Sequence, residues 1–405
     1  MRLYVGILFS LSAFAADPQL LMLETRARTD FDRVAQSSAP QVDYASACVQ
    51  AQAALLPVAP AAEQPLVHYR KGYCILMGAL VGQDPSGLER AAAELDKAAA
   101  ASTLPPVSSA VPVLAAIARL QNSPDQATLD REEGRLMVAA AKANCNSPVT
   151  PEATCRADLA LAHLWLGWID WRGANLIAAA REFTQAPDSA WIEWVAGRQL
   201  FERQHYTEAV PHLRAAVERW PAEADRLLWP KPEMGAMLTD LGATQLLAVD
   251  PAGAIATLDR AAKLNPDCAR ILFLRARAKE IAGHEEAADA DYRLASRTAF
   301  AAAKDLASGE AHLYRGILFY RRKDFSRAEA EFSSALNFEI APGLRADASA
   351  WRRLAAVASG SCAASREDLA RALANVSPFF PRREAQAILD ACNATAHRLQ
   401  QQDAM

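Results

Sequence analysis

One spacing of small and large apolar positions recurs along the chain. A small residue is followed twelve positions on by an alanine, and from that alanine a large apolar residue stands at +4 and another alanine at +7. The series runs Gly167, Ala179, Phe183, Ala186; then Gly197, Ala209, Leu213, Ala216; then Gly242, Ala254, Leu258, Ala261. It continues as Ala276, Ala288, Tyr292, Ala295 and as Gly316, Ala328, Phe332, Ala335, and an earlier copy reads Ala79, Ala91, Leu95, Ala98. Positions four and seven apart share one face of a helix. Each copy therefore predicts two helices that cross at small residues, with the large side chain filling the space between them. A single pair has too little core of its own and must stack on its neighbours. The pattern predicts an all-α array of antiparallel helix pairs.

Composition agrees. Alanine supplies 90 residues and glycine 17, whereas runs of Val, Ile and Thr are nearly absent, which argues against an all-β fold or a parallel α/β sheet. The net charge of −4 gives no basic excess to hold nucleic acid.

Several positions resemble the tetratricopeptide repeat. Leu166-Gly167 and Leu241-Gly242 match its Leu-Gly step, Tyr206 and Phe325 the aromatic that opens its second helix, and Pro221 and Pro266 the proline that closes it. The resemblance covers about residues 150–343 and is weaker before them. It implies a right-handed superhelical solenoid, irregular here at both ends, whose first helices line a concave groove. The marker alanines 179, 209, 254, 288 and 328 are separated by 30, 45, 34 and 40 residues, against a family period of about 34. The long interval holds an extra segment, Trp220 to Pro232, with prolines at both ends. The interval of 40 suggests a lengthened helix through Ala299–Lys304. Residues 16–149 read as degenerate repeats, 150–343 as the regular array, and 344–405 as a degraded pair with a capping helix. Proline-rich stretches at 57–65 and 102–112 read as turns between helices.

Residues 1–15 read as a secretory signal. Met1 and Arg2 precede an uncharged apolar run that closes on Ala13-Phe14-Ala15. That run is shorter than the roughly 20 residues of a membrane span; its alternative is a first helix packed on the array. Seven cysteines suit an exported chain. Cys145 and Cys155 flank a proline-bearing loop and are expected to pair. Cys48 with Cys74 and Cys362 with Cys392 lie on neighbouring predicted helices, where a disulfide and reduced thiols both remain open, and Cys268 is left over.

No catalytic motif, cofactor fingerprint or metal-ligand spacing is present. The notable constellation is aromatic: Trp165, Trp168, Trp171, Trp191 and Trp194 are five of the eight tryptophans. Carried over from the family's groove positions, the resemblance implies a peptide-binding face of Trp168, Trp171, Arg172, Trp191, Trp194, Arg198, Phe201, Arg270, Arg277, Tyr320 and Arg321. Trp165 falls inside. Trp168, Trp171, Trp191 and Trp194 either line the groove or fill volume left by small alanines. Aromatic faces beside arginine suit an extended peptide. The expectation is a non-catalytic, exported scaffold that binds a protein or peptide segment without cofactor, metal, nucleic acid or a membrane span. The rival is an envelope assembly component that acts by self-association or through its convex face.

Overall fold

The computed structural model describes residues 18–37, 40–101, 105–142, 145, 152–223, 226–302, 309–338 and 340–403. The candidate signal lies outside them. Nineteen helices and no strand are found among the described residues, and none of these helices is long and apolar enough to cross a membrane.

Two compact units divide the described residues, one within 1–199 and 218–232, the other within 200–217 and 233–405. The first contains the successive pairs α1 (Pro18–Ala35) with α2 (Val42–Leu55), α3 (Gln64–Gly82) with α4 (Pro85–Ala101), α5 (Pro105–Leu120) with α6 (Gln126–Lys142), and α7 (Glu152–Arg172) with α8 (Leu176–Phe183). Helices α9 (Ala190–Glu202) and α10 (Tyr206–Glu223) begin in one unit and end in the other. The second unit contains α11 (Met234–Leu247) with α12 (Pro251–Leu264), α13 (Ala269–Ile281) with α14 (Glu285–Ala302), α15 (Gly309–Arg321) with α16 (Phe325–Asn337), and α17 (Pro342–Ala358) with α18 (Cys362–Ala372), followed by α19 (Arg382–Asp403).

The repeated spacing is the core. Every marker alanine, every large residue at +4, and every alanine at +7 except Ala186 is buried. Ala186 is half-buried because α8 ends at Phe183. A Cβ added to Gly167 would stand 2.7 Å from the Phe183 ring, one on Gly242 2.6 Å from Leu258, and one on Gly316 2.5 Å from Phe332. Those contacts are closer than real Cβ atoms come, so at these three crossings a larger residue forces the facing ring or leucine to shift. Gly316→Ala should cost about 1–3 kcal/mol, the usual penalty of overpacking a tight core. Thermal unfolding checks it, with Gly343→Ala as the control, because a Cβ at Gly343 meets nothing within 4 Å.

Three readings need correction. The earliest copy does not cross at Ala79: a Cβ on Gly72 would stand 2.8 Å from Leu95, so Gly72 takes that role. Helix α3 runs about one and a half turns further past its crossing than α7 does, which displaces the phase. The stretch 102–112 is not all turn, since α5 begins at Pro105 and carries Pro112 within it; proline at a helix start removes only an N–H that lacks a partner anyway. Pro221 lies inside α10 and does not close it.

Eight pairs share one turn. Between their two helices a single residue adopts positive φ, from Ser123 at 50° to Gly360 at 106°. The same turn in α3/α4, α5/α6 and α17/α18 marks these as the same unit as the regular repeats. Val249 is the β-branched member, at φ 64° and 83% exposed, where an L side chain meets the following carbonyl. Val249→Gly should raise stability by roughly 0.5–1 kcal/mol; a lowered melting temperature would contradict the strain.

Polar pairs repeat as well. His68 Nδ1 lies 2.8 Å from Glu94 Oε2, as does His163 from Glu182 and His312 from Glu331. Each histidine stands four residues before a crossing glycine (Gly72, Gly167, Gly316), and each glutamate three after a marker alanine. Burial works against the Glu94 carboxylate, yet hydrogen bonds from His68, Lys97 and Lys71 hold it down to about 2. Disulfides join Cys48 to Cys74, linking α2 to α3, and Cys145 to Cys155. Cys268 is free.

Candidate functional site

Helices α7 and α9, the first members of successive pairs, bring the tryptophans together in the first unit. Trp171 stands 4.4 Å from Trp194 and 5.8 Å from Trp191 between ring centroids, and Trp191 stacks on Phe183 at 5.9 Å. Trp165 meets Trp168 edge to face at 5.1 Å. Within this cluster the rings divide by exposure. Trp191 is 2% and Trp194 4% exposed, whereas Trp168 and Trp171 are half-buried. Both are closed off from solvent, Trp191 with its Nε1 against the Pro230 carbonyl of the segment after α10, and Trp194 against the Trp171 and Trp191 rings.

Each half-buried ring carries a guanidinium. Arg172, itself exposed, stands over Trp168 at 5.2 Å, and Arg198 stands over Trp171 at 5.6 Å. Trp168 with Arg172, and Trp171 with Arg198, thus form two aromatic–cationic pairs, a strip carried by two successive first helices. Asp170 stands on the same helix as Trp168, Trp171 and Arg172, α7. Burial, with the Glu133 and Glu182 carboxylates nearby, pushes its acid up to about 6. A carboxyl raised on folding loses stability as pH climbs from about 4 to that value and stays penalised above it. Asp170→Asn should therefore melt higher than wild type at about pH 7 and show no advantage at about pH 4. An equal gain at both values would assign the effect to something other than ionisation.

The insert returns over these helices. Trp165 Nε1 donates to the Leu228 carbonyl at 2.9 Å, Trp191 Nε1 to the Pro230 carbonyl at 2.8 Å, and Gln121 Nε2 to the Leu227 carbonyl at 3.2 Å. The donors belong to α7, to α9 and to the residue just past α5, so the segment crosses three consecutive first helices. Leu227 and Leu228 pack against the unit's hydrophobic core, and Trp229 is buried with Arg226 at 4.1 Å over its ring. At the root of the segment, Glu223 accepts the Ala190 N–H at 3.0 Å and caps the start of α9.

The second unit holds the remaining predicted residues differently. Arg277 and Tyr320 are buried, and Arg321 is half-buried. Glu280 binds both Arg277 and Arg321 and accepts from Tyr292 Oη at 2.9 Å, while Arg321 Nε reaches Asp289 at 2.8 Å. Tyr320 Oη donates to Glu384 at 3.3 Å. These arginines are neutralised internally and present no open fork to a partner, which corrects their assignment to a groove. Phe201 packs on Tyr206 at 5.4 Å, half-buried, and Arg270 alone of this set is exposed. The three His–Glu pairs and the carbonyl acceptors of the insert are polar features that the search for catalytic motifs missed. The first were legible as His-x3-Gly followed by Ala-x2-Glu.

The sequence matches no protein-family model and no curated protein. Among solved structures the chain is similar to yeast Tom70, at 10% identity over 94% of this chain and 96% of that one, with a TM-score of 0.35. It is also similar to a tetratricopeptide repeat protein from Parabacteroides merdae, at 11% identity over 83% of this chain and 99% of that one, TM-score 0.29. The human IFIT1 dimer with m7Gppp-AAAA matches at 12% identity over 96% of each chain, TM-score 0.37.

Proposed function

We propose that this chain, a tetratricopeptide-like helical-repeat protein, is a non-catalytic scaffold that holds an extended protein segment on the first helices of its first unit. The observation that carries the reading is the strip of Trp168 and Trp171, half-buried and each covered by an arginine. Such rings offer stacking area at low entropic cost, and the arginines add acidic selectivity. Support for self-association is thinner: Trp220 and Trp229, the aromatics of the insert, are buried. We further place the protein outside the reducing cytosol, since two of its disulfides, Cys48–Cys74 and Cys145–Cys155, tie helices and a loop.

A library of fluorescent peptides titrated against the purified chain tests the scaffold reading. Bound sequences should lose at least tenfold in affinity in Trp171→Ala and weaken as salt rises. Binding unaffected by Trp171→Ala would move the site elsewhere, and no binding by any peptide would overturn the reading.

A further inference from the structure

The segment after α10 is bound as a ligand would be. The chain turns at Arg226–Trp229, where the Trp229 N–H bonds the Arg226 carbonyl at 3.0 Å, and its backbone carbonyls at Leu227, Leu228 and Pro230 accept from Gln121, Trp165 and Trp191. Recognition through carbonyls is indifferent to the side chains that carry them, while the leucine pair fills apolar space against the core. Both properties belong to a peptide site more than to a loop, which commonly runs over the surface. Along the same track, a cavity of about 340 Å³ remains open between Leu227 and Lys231 on one side and Leu80, Gln83, Leu88 and Gln121 on the other. The segment therefore covers its track without filling it.

We propose that Arg226–Pro232 is a built-in occupant of a peptide track formed by Gln121, Trp165 and Trp191 on the same run of first helices, and that the partner is a segment of the same chemistry. That segment has two adjacent leucines followed within two residues by a proline, and it displaces the internal copy, entering along the open cavity. The inference rests on the scaffold reading. A tethered competitor acts at an effective concentration of order millimolar, so a ligand binding in trans is weakened by the fraction of chains whose track is covered. Affinity is thus set by how firmly the segment is held.

The probe is a fluorescein-labelled peptide with the sequence of Arg226–Pro232, titrated against the full chain. Leu227→Ser with Leu228→Ser loosens the internal copy, and the peptide should bind this variant at least tenfold more tightly than wild type. Trp165→Phe, which keeps the ring and removes the donor to Leu228, should abolish that gain when added to the loosened variant. If the double variant unfolds by circular dichroism, Leu228→Ala alone serves the same purpose with a smaller expected gain. Equal binding of the probe to wild type and to a folded loosened variant would overturn the inference. Retention of the gain in Trp165→Phe would also overturn it. If library peptides still bind wild type under either outcome, the scaffold reading stands; if no peptide binds either folded form, the scaffold reading falls too.

Discussion

Replacing Trp194 with alanine should cost about 3–5 kcal/mol of stability, the range for emptying a large aromatic from a core. Its ring is 4% exposed and lies 4.4 Å from Trp171 and 5.2 Å from Trp191, so the neighbours have nothing to close onto but each other. A groove residue would give the opposite profile, with lost affinity in a protein that melts normally. Trp168→Ala is the informative companion: that ring is half-buried, and its loss should cost clearly less stability. Chemical denaturation of the two variants side by side checks the ranking. Equal and small costs would return Trp194 to an open face.

Removing the Glu280 carboxylate should be comparably damaging in the second unit. Glu280 is the shared partner of Arg277 and Arg321 and accepts from Tyr292. Arg277 is buried, so Glu280→Ala leaves it without its counter-charge in a poorly solvated site. Breaking a buried pair from one side typically costs about 3–5 kcal/mol. The exposed pair of Arg156 with Glu152 is the contrast: Glu152→Ala should change stability by no more than about 1 kcal/mol. Denaturation midpoints that rank the two alike would mean that the network around Glu280 is solvated.

The helix pairs were legible because a crossing is a local steric demand. Gly316 twelve residues before Ala328 and sixteen before Phe332 already states that a backbone and a ring must touch. The phase failed at Ala79 for an equally physical reason: spacing through a turn depends on how far α3 continues past its crossing, and Gly72, not Ala79, faces Leu95. The binding face was only half legible. Periodicity put Trp168, Trp171, Trp191 and Trp194 on one side of their helices, but their exposure depends on where the insert folds back. Nothing local says that Trp165 and Trp191 find their acceptors 63 and 39 residues away, at Leu228 and Pro230. Arg321 finds Glu280 on α13 and Asp289 on α14, 41 and 32 residues away, which no single helix states. The partner of Arg277, Glu280, stands three residues on in the same helix and was legible.

Hydrogen–deuterium exchange on the full chain, with and without a peptide selected from the library, tests the central claim most directly. Occupation of the first-helix face should slow exchange along α7 around Trp168 to Arg172 and along α9 around Trp194 to Arg198. It should speed exchange in Arg226–Pro232 as the internal copy leaves. Slowed exchange confined to second helices such as α8 and α10, with Arg226–Pro232 unchanged, would contradict both the site and its built-in occupant.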